Sequence, residues 1–255
     1  MRRRRHLLLL LFGLLPGWLG AAEEEDWIDL FDGRSLEGWT PKVTGYPAGE
    51  NFGDTFRVEN GLLKVRYDAY ERFDGRFGHL FWQAPLSHYH LVIEYRFVGE
   101  QVPGGPDWAH RNSGVMLHAE PVQAMALNQD FPVSIEAQFL GGLGNGRPRP
   151  TNNLCTPGTD VLHEGRLYTP HCLGSSSRTF DGDQWVRAEI IVRGSGTITH
   201  LVNGEVVLEY SEPRLSDPAS HQKSETALLE SGFIALQSES HPIDIRAVRY
   251  RQLEP

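Results

Sequence analysis

Apolar and polar residues alternate with a period of two along most of this chain, the mark of β-strands whose two faces meet different surroundings. The clearest run is 88–98, HYHLVIEYRFV, where Tyr89, Leu91, Ile93, Tyr95 and Phe97 make an apolar face and His88, His90, Glu94 and Arg96 share the other. A second run, PVSIEAQFL at 132–140, sets Val133, Ile135, Ala137 and Phe139 against Ser134, Glu136, Gln138 and Leu140. Glu136 and Gln138 therefore stand on one side of the sheet, about 7 Å apart along the strand. Two polar groups at that spacing can grip one small polar ligand, but the same pattern suits a solvated outer face, and the run alone leaves both readings open.

Asn60-Gly61 inside FRVENGLLKVRY and Asn203-Gly204 inside TITHLVNGEVVLEY each sit between alternating runs, which predicts two tight hairpins. Further strands are expected in VMLHAE after Asn112-Ser113-Gly114, with His118 on the face of Met116, in QWVRAEIIVRG at 184–194, and twice in 232–253 around a turn at His241-Pro242. Phe31–Arg34 reads as a turn between a short strand and a segment ending in Trp39. The residues 211–230 are polar, with one helical turn expected near Ser224–Leu229. The total is about ten to twelve strands with hardly any helix between them, which excludes a parallel α/β fold. An all-β, two-sheet antiparallel sandwich remains, in which one curved sheet can present a polar concave face.

From Gly141 to Phe180 the periodicity dissolves among glycines, prolines and the Asn152-Asn153 pair. Long stretches without elements tend to be functional, so this one is expected to be a structureless rim or lid beside the Glu136 strand; a decorative insertion is the competing reading. It holds both cysteines of the chain, Cys155 and Cys172. In an oxidising compartment such a pair is most simply a disulfide, worth roughly 3 kcal/mol. A Cys/His metal site with His163 and His171 competes, though it lacks any paired-cysteine spacing.

At 255 residues and 40% hydrophobic content the chain can build a real core and is not of the disordered class. Arg2–Arg5, the apolar run Leu7–Leu15 and the small residues Gly20, Ala21 and Ala22 read as a secretory signal peptide over 1–22, leaving 23–255 as one domain. That apolar run is too short to span a membrane. With no cysteine near the cleavage point for lipid attachment, the expected location is the periplasm or the cell exterior. Removing the four signal arginines moves the formal charge from −9 to −13, and the remaining basic residues are scattered along the sequence. This argues against nucleic acid or an anionic membrane as partner and for a neutral or weakly charged substrate. Phosphate-binding glycine loops, nucleophile-elbow serines, HExxH pairs and twin CxxC motifs are all missing, which disfavours nucleotide chemistry, serine hydrolysis and zinc proteolysis.

The ordered set LFDGRSLEGW, VENGLL, IEYRF, NSGVMLH, IEAQF, DGDQWVRAEIIVRG, ITHLVNGEVV and GFIALQSESHPIDIRAVRYRQL resembles the 3-keto-disaccharide hydrolase domain family over about Trp27 to Leu253. The resemblance implies a concanavalin A-like jelly-roll sandwich, here carrying the long loop with the expected disulfide, and action on glycosides already oxidised at C3. It places the family's glutamate-x-glutamine strand on Glu136 and Gln138, its asparagine-serine-glycine on Asn112 to Gly114 and its late glutamine on Gln237. Two features depart from the family pattern, His118 where many relatives have an arginine and the Cys155/Cys172 loop where many have a shorter connection.

The chemistry follows from the substrate. A ketone at C3 acidifies the C2 hydrogen, so a base can remove it, the C1 oxygen can leave, and water can add back. Such a reaction needs a base, a donor for the enolate oxygen and an acid for the leaving group. Glu136 is the expected base, its pKa raised in a partly enclosed groove. Arg96, His118 or Gln138 could serve the enolate and His200 or Glu239 the departing oxygen, with Glu94, Asn112 and Gln237 completing the substrate contacts. The residues point to no definite cofactor, and a divalent cation could replace the enolate donor. An ordinary two-carboxylate glycosidase is disfavoured by Gln138 standing where a second carboxylate would be. The alternative from another class is a non-catalytic, lectin-like module, with Trp39, Trp82, Trp108 and Trp185 as stacking platforms.

Overall fold

The computed structural model describes residues 26–216 and 227–255; the expected signal peptide lies outside them. Seventeen strands follow one another: β1 (Trp27–Asp29), β2 (Trp39–Val43), β3 (Phe56–Glu59), β4 (Leu62–Val65), β5 (Gly78–Trp82), β6 (His88–Phe97), β7 (Asn112–Ala119), β8 (Ile135–Leu140), β9 (Asn153–Cys155), β10 (Thr159–His163), β11 (Arg166–Tyr168), β12 (Cys172–Leu173), β13 (Val186–Arg193), β14 (Thr197–Val202), β15 (Glu205–Leu215), β16 (Phe233–Ser238) and β17 (Ile243–Gln252). Among the described residues the helix between them is single turns of 3-10 helix, one of them Asp107–Ala109.

The strands make two antiparallel sheets. One has ten strands in the order β11-β10-β15-β14-β13-β6-β17-β4-β3, with β1 beside β17. The other has seven, β12-β9-β8-β7-β16-β5-β2. Both hairpins form where the Asn-Gly pairs predict them. Asn60 and Gly61 take φ of 55° and 76°, and Asn203 and Gly204 take 51° and 86°. Positive φ at both central residues is the turn geometry that matches the twist of the flanking strands.

The apolar faces read from the sequence close on one another. Tyr89, Leu91, Ile93 and Tyr95 of β6 meet Ile135, Ala137 and Phe139 of β8 in one buried core. Tyr95 lies parallel to Phe139, with ring centroids 4.3 Å apart, so the interlayer contact is direct stacking across the sandwich. Burial of this kind, at about 25 cal/mol per Å² of apolar surface, is what holds the two layers together.

Three expectations are corrected. Residues 141–180 are not a structureless loop, because β9 and β12 extend the seven-stranded sheet and β10 and β11 extend the ten-stranded one. Strands of two to five residues are too short to show periodicity. Trp39 begins β2 rather than ending a segment, and β5, whose residues are nearly all buried, was not expected at all, because a run buried on both faces shows no alternation. The first half of the helical turn expected near Ser224–Leu229 lies outside the described residues, and Leu228, which is described, makes an isolated bridge with Arg214.

Candidate active site

Glu136 and Gln138 project from the outer face of β8, the face turned away from the core. Their register partners on β7 are Met116 and Gly114, and on β9 Cys155 and Asn153. Gly114 matters because a Cβ there would stand 2.7 Å from Glu136 Oε1 and 3.1 Å from its Cγ. The glutamate thus lies over a bare stretch of backbone and leans towards Gln237 on β16. Glu239 follows just past the end of that strand.

Glu136, Gln237 and Glu239 are all buried. Glu136 Oε1, Glu239 Oε2, both amide atoms of Gln237 and Asn112 Oδ1 have no hydrogen-bond partner. Gathered on one outward face, they are the groups with which a bound polar molecule would pair. Burial raises the Glu136 carboxyl well above its ordinary range, and the Gln237 amide offsets only part of that. Burial likewise raises Glu239, and the neighbouring Glu136 charge raises it further. Two interacting carboxyls titrate as a pair, and this pair keeps at least one proton at neutral pH.

The hollow above this floor has a volume of about 440 Å³. Asn112, Glu136, Gln138, Leu140, Arg149 and Glu239 line it, with Trp108 and Phe131 on one side and Cys155, Pro157, His171 and Cys172 on the other. Cys155 and Cys172 are cross-strand partners of β9 and β12 and form a disulfide, as read from the sequence. This wall is the cross-linked rim expected beside the Glu136 strand. Although the Sγ and nitrogen atoms of Cys155, Cys172 and His171 lie within 4.8 Å of one another, both sulfurs belong to the disulfide and are not free thiolates. His163 sits on β10, in the other sheet. Oxygens of Glu136, Glu239 and Asn112 are the donors the hollow offers to a hard cation.

Replacing both cysteines with serine is expected to lower the unfolding free energy by about 3 kcal/mol, as for any loop of this size. The measurement is urea denaturation, in which the midpoint should fall and the m-value rise, because the unfolded chain without the cross-link exposes more surface.

Arg149 comes from the loop after β8, where periodicity gave no hint of a site. Its guanidinium donates to the carbonyls of Gly141 at 2.6 Å and Arg111 at 3.2 Å, which hold it in the hollow. Burial, and then the charge of Arg111, lower its pKa, yet a guanidinium stays charged in a protein. Beside it His241 is buried with both ring nitrogens unpartnered. Burial first, then His110, Arg111 and Arg149, push its pKa down to about 3, so it is neutral.

Of the residues expected to act, Glu136, Gln138, Asn112 and Glu239 converge. Gln237 sits beside Glu136 but does not itself line the hollow. Four others lie elsewhere. His118 takes φ of 48° at an irregularity in the β7–β16 pairing and meets the Gly194 carbonyl at 3.0 Å, beside a separate cavity. His200 is buried in the core, its ring between Tyr210 Oη at 2.8 Å and the Asn152 carbonyl at 2.9 Å. Glu94 and Arg96 belong to the outer face of the ten-stranded sheet, where Glu94 pairs with Arg187 and Arg246 and Arg96 with the buried Asp244. Among the four tryptophans only Trp108 reaches the hollow. Trp39 packs against Trp82, and Trp185 lies under Arg96 and Arg246.

A family model described as a 3-keto-alpha-glucoside-1,2-lyase-like domain matches residues 26–252. Comparison with curated proteins returned no match. Among solved structures, a candidate glycosyl hydrolase from Parabacteroides distasonis aligns with a TM-score of 0.55 at 20% identity, covering 89% of this chain and 99% of its own. A second from the same organism gives 0.54 at 14%, covering 92% and 99%. Carbohydrate binding module CBM66 from Bacillus subtilis gives 0.51 at 8%, covering 84% and 96%. At such identities the likeness is one of fold, and chemistry has to be argued from the site.

Proposed function

The chain belongs to the 3-keto-alpha-glucoside-1,2-lyase-like family, and from that premise we propose that its hollow cleaves glycosides already oxidised at C3 of a sugar ring. The chain reads as an exported protein, so its substrate would be a small sugar met outside the cytoplasm. The observation that carries the reading is the pair of buried carboxyls, Glu136 and Glu239, both held above the ordinary range in one hollow.

Glu136, when ionised, takes the C2 proton, and its raised pKa makes it a stronger base than a solvated carboxylate. Electrons from the C2–H bond flow into the C3 carbonyl, where Arg149 and the Gln138 amide face the oxygen charge. The enolate then expels the C1 oxygen, which takes the proton held by Glu239, and a C1–C2 double bond conjugated to the ketone is left. Water adds to C1, giving its proton to Glu239, while Glu136 returns a proton to C2, so the net change is hydrolysis and both carboxyls are restored. A retaining glycosidase needs instead a nucleophile that is ionised at low pKa beside a raised acid. Here both groups are raised, which favours a proton-abstracting base.

The test is product analysis on a 3-keto-disaccharide beside the unoxidised disaccharide, with turnover expected only for the first. A binding module would hold sugar and release it unchanged, and that outcome would remove the enzymatic reading. The pH profile gives a second check. Activity needs the pair to have lost one proton and kept the other, so kcat/KM should rise and then fall, with both limbs above the usual carboxylate range. A rising limb near pH 4 would exclude Glu136 as the base.

A further inference from the structure

We infer that Trp108 is the platform on which the leaving-group sugar stacks, and so selects substrates whose departing half is itself a ring. The inference rests on the reading of the hollow as a 3-keto-glycoside site and adds to it a residue that sets specificity. Trp108 is 54% exposed, although large aromatic side chains are normally buried. It sits in the 3-10 turn Asp107–Ala109 at the entry to β7 and lines the hollow. One face of the indole is covered, since Phe77 lies nearly parallel to it at 5.8 Å and 10°. Phe77 in turn packs on Phe131, at 4.9 Å, which also lines the hollow and is half-buried. The aromatic wall therefore runs from a half-buried phenylalanine to an open indole, and the indole is its rim.

Its backbone is fixed by the polar floor. The Trp108 carbonyl accepts from Asn112 Nδ2 at 3.4 Å and lies 3.5 Å from an Arg149 nitrogen. The platform is thereby tied to two residues that line the hollow. The ring being cleaved must reach the carboxyls on the floor, so the departing half lies towards the mouth. A pyranose has an apolar face of C–H groups, and a pre-oriented indole offers it a surface at little entropic cost.

The experiment compares wild type, Trp108→Ala and Trp108→Phe on a 3-keto-disaccharide and on the corresponding methyl 3-keto-glycoside. In the alanine variant KM for the disaccharide is expected to rise about tenfold while the methyl glycoside changes less than about twofold, and phenylalanine should recover most of the loss. An equal effect on both substrates, or none on either, overturns the inference. Calorimetry with the unoxidised disaccharide and its methyl glycoside reads the platform without turnover. Wild type should prefer the disaccharide and Trp108→Ala should not, and a wild type with no preference also overturns the inference. If wild type turns over neither keto substrate, the functional reading fails, and the calorimetric preference alone then decides the role of Trp108.

Discussion

Glu136→Gln is expected to lower kcat on a 3-keto-disaccharide by about 10³-fold, within the range for loss of a positioned general base. The amide keeps the size of the carboxylate but cannot take the C2 proton. Folding should not suffer, and above neutrality it should improve. A buried carboxyl whose folded pKa lies above its unfolded value of about 4.3 costs nothing below that value, where both states are protonated, and destabilises the fold increasingly as pH rises towards the folded pKa. The variant removes that cost. Melting temperatures should match wild type at pH 4 and exceed it at pH 9, while initial rates fall. Retained turnover would take the residue out of the mechanism, and a loss of stability at every pH would mean that the glutamate is architectural.

Gly114→Ala should lower kcat about 10²-fold although it adds one methyl group, because small displacements of a catalytic side chain are that costly. The new Cβ would meet Glu136 Oε1 at 2.7 Å and the Ala137 carbonyl oxygen at 3.0 Å. The backbone of Gly114 is not in the left-handed region, so the effect is purely steric. Because the carboxylate end is free to swing and the strand is not, the glutamate gives way first, at a stability cost of about 1 to 3 kcal/mol. Gly174→Ala is the control, since its Cβ would meet nothing closer than Pro150 Cγ at 3.9 Å. Equal rates in the two variants would show that the position of Glu136 over Gly114 has no bearing on turnover.

The sandwich was legible wherever one strand face met the core and the other did not, as in β6 and β8, and wherever Asn-Gly pairs dictated a turn. The same rule placed Glu136 and Gln138 on an outward face. It did not say which sheet a polar face belongs to, so Glu94 and Arg96, with a pattern like that of Glu136 and Gln138, turned out to serve ion pairs on the other layer. His200 could have been read correctly, since it shares parity with Ile198 and Val202, both buried. His118 could not, because an irregular register and a positive φ aim its ring in a way that no alternation encodes. Arg149 and Trp108 come from segments without period, and their places are set by carbonyl contacts and by aromatic stacking between parts of the chain distant in sequence.

Every group that lines the hollow hangs from the seven-stranded layer or from the loops around it, and none from the outer face of the ten-stranded layer. That second face is therefore available as an attachment side. Anchoring the protein to a resin or fusing it to a scaffold through β15, for instance at Val206, which is 56% exposed, would present the mouth of the hollow to the surrounding solution with its substrate path unobstructed.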